Sequence, residues 1–522
     1  MYKLFLYFMI VVLVIVSSGF SFLGENDDWV LWCFLKNGEN ITLIMSYPLS
    51  SLGCKLYEIF PNIQWYSVII LTYTSIIAFL AAYHISKLQD RKLKFLFTIS
   101  VSLILIHFLM NITVTELTIL IIAFSLPFIY TNQLLFWFLF LLVSLLRTEL
   151  VIGLSPIFVL AYLLLFRKKS VSIKQIFPIS IIILAIGFIF IMPSYADKEY
   201  TDWLRFVKAR GYFMDLHGRD YKDILSDDEE FVGYTWWAQD KELLPTEKVI
   251  KAANPSSVNI IVSSYKALTP FKLLKIFLQY KLLIFLIPLT FYIIYKETNS
   301  FRKIFYIFFM AAIITLIIAR DMERVAYPLT VLWMLLIYLK LYMKKKRELL
   351  IKFLYITIAV LFLESSLTRI YKHQTKESIK SEAVNLMAKH PYLYELSLGF
   401  PTSFGVLSMV VIQDHLFRED EWLSFDKNRL LLSGWISRHP FFYRSHDISS
   451  DIYERKYKTF YEFLTDKKTA FIGSKKMVCS VNDRILKIYD KKYAQKGCYH
   501  KVQIIDESKH FTITQIVKEC EN

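Results

Sequence analysis

The chain has 522 residues, of which 55% are hydrophobic and 16% aromatic, and its mean hydropathy is +0.42. A water-soluble protein of this size could not bury so much apolar surface, and the apolar residues fall in long runs, so the composition indicates a membrane protein. The formal net charge of +16 does not indicate nucleic-acid binding, because the basic residues cluster in short segments between apolar runs, as in cytoplasmic loops.

Long apolar runs predict about eleven transmembrane helices, each near the length that crosses the hydrocarbon core of a bilayer. The runs lie at roughly residues 4–22, 66–83, 95–110, 116–131, 134–147, 150–166, 177–193, 274–295, 304–319, 326–343 and 350–366. Threading the chain in this order places its richest basic clusters on one side. The positive-inside rule therefore predicts a multi-pass membrane protein with a cytoplasmic N-terminus.

The composition changes near residue 370, where the chain becomes mixed and charged. We therefore predict a multi-spanning membrane domain over residues 1–369, which includes the extracytoplasmic loops 23–65 and 194–271. Residues 370–522 are long enough for a separate soluble domain on the extracytoplasmic side.

Within this C-terminal domain, two segments rich in β-forming residues predict strands, at Ala470–Gly473 and Thr512–Val517. The pattern over Lys376–His390 predicts a helix. The predicted fold class is therefore an all-α polytopic membrane protein with a C-terminal extracytoplasmic α/β domain.

The loop 194–271 is too long for a simple connection, and long loops are usually functional or disordered. Its segment Tyr200–Leu216 is amphipathic and is expected to lie on the membrane or over a cavity. The run Asp227-Asp228-Glu229-Glu230 is interpreted as a solvated acidic segment rather than a metal site.

The cysteines show no metal-ligand spacing. If their segments face an oxidising compartment, Cys33–Cys54 and Cys479–Cys498 are candidate disulfides, and free buried thiols are the alternative. Cys520 is the fifth cysteine, and the sequence leaves the pairing open.

The first apolar run is followed by Asn26-Asp27-Asp28-Trp29. In one interpretation this is a helix N-cap, since the side-chain oxygens of Asn and Asp accept the unpaired amides of a first helical turn. In the other interpretation, the two adjacent carboxylates at the outer membrane face belong to a chemical site.

Ionisable residues gather at the outer ends of the predicted spans, whereas the span interiors are nearly free of them. The residues are Asp27, Asp28, Glu116, Arg147, Glu149, Lys281, Arg320, Asp321, Glu323 and Arg324, with His107 one turn before Asn111. Taken singly, the charges at Arg147–Glu149 and Arg320–Arg324 are typical of interfacial ion pairs. Taken together, they predict one shared cavity, in which arginine forks bind phosphate oxygens and a carboxylate activates a hydroxyl.

Three of these features resemble the GT-C class, which comprises polytopic glycosyltransferases that use polyprenyl-phosphate-linked sugars. They are the acid pair Asp27-Asp28 after the first span, Glu116 in the next outer loop, and the arginines of 320–324 before Tyr327-Pro328. The segment Asn26–Tyr66 is also similar to bacterial membrane proteins of surface-polysaccharide glucosylation. The resemblance covers the membrane part of the chain and implies a place in the bacterial cytoplasmic (inner) membrane.

The resemblance implies that Asp27 or Asp28 is the catalytic base or metal-binding group, with Glu116 as a further acid. Arg320 and Arg324 would bind the lipid phosphate, and two more cations, Arg147 and Lys281, are further candidates. The implied partners are a polyprenyl-phosphate-linked sugar, a glycan, lipid-linked or protein acceptor, and membrane lipid. A divalent cation, Mg²⁺ or Mn²⁺, is a possible cofactor and would bind at the acid pair.

Two other functions compete with the glycosyltransferase. A repeat-unit polymerase of envelope polysaccharide would also need outward-facing arginines, whereas acids directly after the first span favour the transferase. A lipid-linked glycan transporter or flippase is the third candidate. The scarcity of charges at mid-membrane counts against it, because proton-coupled transporters place ionisable groups there.

Overall fold

The computed structural model describes the backbone of part of the chain. The described residues are 1–18, 31, 34–36, 38–42, 44–110, 113–128, 132–152, 187, 197–215, 225–234, 242–253, 276–277, 280–298, 300–320, 323–342, 356–357, 359–370, 382, 385–386, 389, 394–397, 429–431, 465, 469–493 and 498–520. In some helices and strands only the backbone is described, and this applies to Arg320, Glu323 and Arg324. The structure is mostly helical, with a small sheet near the C-terminus, as the sequence predicts.

Several described helices coincide with predicted apolar runs, whereas most of the runs 150–166 and 177–193 lies outside the described residues. The predicted loops 23–65 and 194–271 also contain helices. The helices are α1 (Tyr2–Ser17), α2 (Tyr47–Ile59), α3 (Trp65–Ser86), α4 (Arg91–Leu109), α5 (Val114–Ser125), α6 (Gln133–Leu146), α7 (Lys198–Asp215), α8 (Asp227–Tyr234), α9 (Thr246–Ala253), α10 (Leu282–Lys296), α11 (Ser300–Arg320), α12 (Glu323–Tyr342) and α13 (Lys475–Tyr493). Residues 359–370 are also helical. The strands are β1 (Tyr394–Ser397), β2 (Arg429–Leu431), β3 (Thr469–Ser474), β4 (Cys498–Glu507) and β5 (Phe511–Cys520).

The chain divides into two compact units. The first comprises Met1–Ala196, Ser264–Ile370 and the short piece His415–Phe417. The second comprises Asp197–Ser263, Tyr371–Asp414 and Arg418–Asn522, so most of the long loop is grouped with the C-terminal segment. The division near residue 370 lies where the composition changes.

Helix α5 forms the centre of the first unit. Every residue of α5 is buried, and the helix packs against α3, α6 and α12. A helix that is apolar on all sides is stable only when other elements or lipid cover it completely. The remaining helices are arranged around it, with α1 against α3 and α4, and α10 and α11 against α12.

Two helices in the described part of the chain, α3 and α4, are long and apolar enough to cross a membrane. At 1.5 Å per residue, 20 residues span about 30 Å, which matches the hydrocarbon thickness of a bilayer. Helices α1, α5, α6 and α10 are apolar but shorter. The predicted total of about eleven spans therefore stays a prediction.

The second unit is built on a five-stranded sheet with the order β2-β1-β3-β5-β4. Strand β1 pairs in parallel with β2 and β3, whereas β5 pairs antiparallel with β3 and β4. The strands predicted at Ala470–Gly473 and Thr512–Val517 are confirmed as β3 and β5. Helix α13 packs against β3, β4 and β5. The predicted helix Lys376–His390 lies largely outside the described residues.

One disulfide joins the two strands of the C-terminal hairpin. Cys498 and Cys520 are directly opposite each other on β4 and β5 and form the bond. The pairing of Cys479 with Cys498 was therefore wrong, because it takes no account of the register of this hairpin. Of the two alternatives for Cys54, the free thiol is the one observed: Cys54 is half-buried, and its pKa is raised to about 12 by burial and by Glu39.

Helix α7 contains the amphipathic segment of the long loop. Its side chains at Tyr200, Trp203, Leu204 and Val207 follow helical spacing and are buried, and α7 packs against α9. The expectation that this apolar face lies on the membrane is therefore wrong for these side chains, which are covered within the protein.

The second unit contains a carboxylate that makes its stability depend on pH. Glu382 accepts hydrogen bonds from the His510 backbone N–H at 2.7 Å and from the His510 ring at 2.6 Å. Burial alone would raise the pKa of Glu382, but hydrogen bonds from Ser508 and His510 lower it to about 2. The ionised carboxylate therefore stabilises the folded chain above the unfolded-state pKa of about 4.3, and this stabilisation is lost as the pH falls towards 2.

We expect Glu382→Gln to remove this dependence, about 1–2 kcal/mol after allowance for solvent screening. The measurement is thermal unfolding of the full-length protein in detergent between pH 6 and pH 2.5, with Glu507→Gln as the matched control at an exposed acid nearby. If the unfolding temperature fell equally with decreasing pH in the wild type and in Glu382→Gln, the role assigned to Glu382 would be contradicted.

Candidate functional site

Glu116 lies in the first turn of α5, where the local sequence fixes its position. Thr113 is the N-cap residue, and its Oγ1 accepts a hydrogen bond from the Glu116 backbone N–H at 3.1 Å. The order Thr113-Val114-Thr115-Glu116 has the spacing of a capping box, and a negative charge is favourable at this end of a helix. Glu116 is only 1% exposed. The predicted site acid is thus held inside the helical unit.

Arg147 contacts the residue next to Glu116, although 30 residues separate Arg147 from Glu116 in the sequence. Arg147 is the residue that follows α6, and its Nη1 donates a hydrogen bond to the hydroxyl of Thr115, the residue before Glu116. The start of α5 and the end of α6 are therefore joined by a predicted phosphate-binding side chain. The structure thus brings two of the predicted site residues together.

An aromatic cluster surrounds His107 in the last turn of α4. The His107 ring lies 4.9 Å from the Tyr327 ring and 5.0 Å from the Phe362 ring, measured between centroids, and it also contacts Phe108. Tyr327 in turn contacts Tyr280 at 5.7 Å. These rings connect the end of α4, the first turns of α12, the residue before Lys281 and the helical residues 359–370.

The remaining predicted cations lie on backbone segments next to residues of the aromatic cluster. Arg320 ends α11 and Arg324 is the second residue of α12, three residues before Tyr327. Lys281 follows Tyr280 and forms an exposed ion pair with Glu364. These cations therefore lie at the same end of the helical unit as the cluster. The positions of the Arg320 and Arg324 side chains stay predictions.

Arg369 contacts this same end of α4. Its guanidinium donates a hydrogen bond to the backbone carbonyl of His107 at 2.6 Å, and the residue is 8% exposed. Arg369 is not among the site residues predicted from the sequence. The signal that could have identified it is a single basic residue at the end of the last apolar run.

A cavity of about 10 Å³ lies beside Glu116, between α3, α4 and α5. Its lining includes Thr74, Leu105, Phe108 and Thr113. This volume corresponds to about one water molecule, so the cavity is far too small for a sugar. This cavity therefore does not bind the donor sugar.

Asp27 and Asp28 lie outside the described residues, so their assigned roles stay predictions. Among the residues that the structure describes, there is no group of three or more His, Cys, Asp or Glu side chains that could bind a metal ion. The acid pair therefore stays the candidate metal site.

The acidic run of the long loop makes ion pairs within the second unit. Asp228 pairs with Lys491 at 3.0 Å, and Glu229 pairs with Lys248 at 2.6 Å. Arg484 donates to the Asp227 backbone carbonyl at 2.9 Å. These contacts give the described acids of this run a structural role.

No family model matches the chain, and no curated protein is significantly similar to it in sequence. Among solved structures, the chain is similar to the crystal structure of ArnT from Cupriavidus metallidurans bound to undecaprenyl phosphate. The two chains are 10% identical over 98% of this chain and 97% of that one, with a TM-score of 0.35. At this TM-score, the activity must be argued from the residues of this chain.

Proposed function

We propose that the protein is a membrane glycosyltransferase that moves a sugar from a polyprenyl-phosphate donor to a glycan, lipid-linked or protein acceptor on the extracytoplasmic side. One observation carries the proposal. The acid Glu116 directly follows Thr115, whose hydroxyl accepts a hydrogen bond from the cation Arg147. Such an arrangement suits a reaction between an anionic lipid head group and a neutral hydroxyl.

The outer surfaces of the first unit support its place in a membrane. Large apolar side chains are exposed on several helices, among them Leu134 on α6 (82%), Tyr295 on α10 (76%) and Phe308 on α11 (65%). Soluble proteins rarely expose so many large apolar groups on neighbouring helices, whereas lipid chains cover such surfaces favourably.

In the proposed reaction, a carboxylate removes the proton of an acceptor hydroxyl, whose oxygen then attacks the anomeric carbon of the donor sugar. Asp27 or Asp28 would act as this base, and the polyprenyl phosphate leaves with the electrons of the broken glycosidic bond. Negative charge then grows on the phosphate, where Arg147, Lys281, Arg320 and Arg324 would stabilise it. A single displacement inverts the anomeric centre. If the enzyme needs a divalent cation, the acid pair would bind it near the phosphate.

The side of the membrane is supported by the disulfide Cys498–Cys520, because such bonds persist in oxidising compartments outside the cytoplasm. We expect Cys520→Ser to lower the free energy of unfolding of the second unit by about 3 kcal/mol, since the bond closes a loop of some 20 residues. Unfolding of the full-length protein in detergent measures the change, with Cys54→Ser as the control outside the pair.

The same bond tests the topology. In intact spheroplasts, we expect an impermeant maleimide to label Cys498 and Cys520 only after an external reductant is added. Labelling of both thiols without reductant, or only after lysis, would contradict an exported C-terminal unit.

The direct test of function is transfer in a defined system. Purified protein in proteoliposomes would be given radiolabelled sugars on polyprenyl phosphate, with lipid-linked glycans as acceptors and with or without EDTA. We expect a labelled acceptor and free polyprenyl phosphate in equal amounts. A ladder of products from diphosphate-linked repeat units would indicate a polymerase. Movement of the intact lipid across the bilayer without bond cleavage would indicate a flippase.

A further inference from the structure

The contact between Arg369 and His107 provides a hydrogen-bond donor at the buried end of helix α4. The last carbonyls of an α-helix have no donor within the helix, and His107 contributes one of them at the end of α4. The Arg369 guanidinium supplies the missing donor across 262 residues of sequence. A positive charge is also favourable there, because it faces the negative end of the helix dipole.

The helix that carries Arg369 makes a second contact with His107. Phe362 lies seven residues before Arg369, so that the two side chains share one face of the helix. Its ring packs against the His107 ring, at 5.0 Å between centroids. His107 is 0% exposed, and within the described structure its ring nitrogens have no hydrogen-bond partner. The backbone and the ring of His107 are therefore both held by residues 359–370.

The position of His107 affects the site because the chain between them is short. Six residues after His107 comes Thr113, which caps α5 and accepts the Glu116 N–H. Thr115, in the same turn, accepts the Arg147 hydrogen bond. A shift at the end of α4 would therefore move Glu116 and loosen the contact with Arg147.

We propose that Arg369 is a positioning residue for the site, which acts by capping α4 and so fixes the start of α5. Its effect on sugar transfer rests on the proposed function, whereas its effect on the start of α5 does not. Arg369 need not touch the substrate for this role. The bond to a carbonyl oxygen requires a donor, and the charge strengthens it.

The test compares Arg369→Met, which removes both charge and donor, with Arg369→Lys, which keeps both. Arg91→Met is the matched control, because it removes an exposed arginine from the opposite end of α4. Hydrogen exchange of the Glu116 and Leu117 amides is measured on the full-length protein in detergent, together with kcat and the donor KM.

We expect Arg369→Met to speed exchange at these two amides about tenfold or more, as the loss of a charge-assisted hydrogen bond predicts. The kcat should fall about 10- to 100-fold while the donor KM changes less than about twofold, since positioning is lost but the phosphate ligands stay. Arg369→Lys should keep most of the slow amide exchange and most of the kcat of the wild type, and Arg91→Met should change neither.

Unchanged exchange at Glu116 and Leu117 in Arg369→Met would overturn the proposal, as would equal acceleration throughout the first unit. Faster local exchange with a normal kcat would also overturn it, because the site would then tolerate the movement. If the wild-type protein transfers no sugar, the proposed function fails, and the exchange data alone decide. Faster exchange at the Glu116 and Leu117 amides in Arg369→Met, but not in Arg369→Lys, then supports the positioning role, and any other pattern rejects it.

Discussion

Asparagine at both Asp27 and Asp28 is expected to lower sugar transfer by about 10²- to 10⁴-fold, the range associated with loss of a general base. The substitution separates the two interpretations of this acid pair. Asparagine caps a helix about as well as aspartate, but it can neither accept the acceptor proton nor bind a cation strongly. A pair that only caps a helix would therefore keep full activity in the asparagine variant.

The single variants Asp27→Asn and Asp28→Asn then show which carboxylate is the base, because only one of them should reproduce the loss in kcat. Glu25→Gln is the matched control, since it removes a neighbouring acid from the same segment. Each variant is assayed in proteoliposomes after its amount and its melting temperature have been matched to the wild type. Full activity of the double variant would remove the acid pair from the mechanism.

The sequence predicts the helical framework well, because apolar runs of this length have few other folds in a bilayer. It also predicts that Glu116 and Arg147 lie together, since the outer ends of spans must return to one membrane face. The strands β3 and β5 follow from local β-propensity in the same way. All these predictions rest on local pattern or on topology.

Contacts that depend on tertiary packing cannot be predicted from local sequence patterns. Arg369 reaches the His107 carbonyl only because residues 359–370 pack beside the end of α4, and no local pattern encodes that neighbour. The pairing of Cys479 with Cys498 was wrong for the same reason, since spacing does not fix connectivity. The periodicity of α7 shows that one face is apolar, but whether lipid or protein covers that face is decided elsewhere in the chain.

Glutamine at Glu116 is expected to lower kcat by about 100-fold with little loss of stability. The hydrogen bond to Thr113 is donated by the Glu116 backbone N–H, so glutamine keeps this bond at the start of α5 while the negative charge is removed. Arg147→Gln is expected to raise the donor KM about tenfold or more, because a forked contact with phosphate is lost. Glu149→Gln, at an exposed acid two residues after Arg147, is the control for both.

The double variant Glu116→Gln with Arg147→Gln distinguishes one site from two separate residues. Both side chains are placed by the same turn, through Thr113 and Thr115. Residues that act in one network show non-additive effects, so the double variant should lose less than the product of the two single losses in kcat/KM. Independent residues would give the full product. In that case Arg147 would be an anchor of α6 on α5, and the phosphate would have to bind among the cations of the other helix ends.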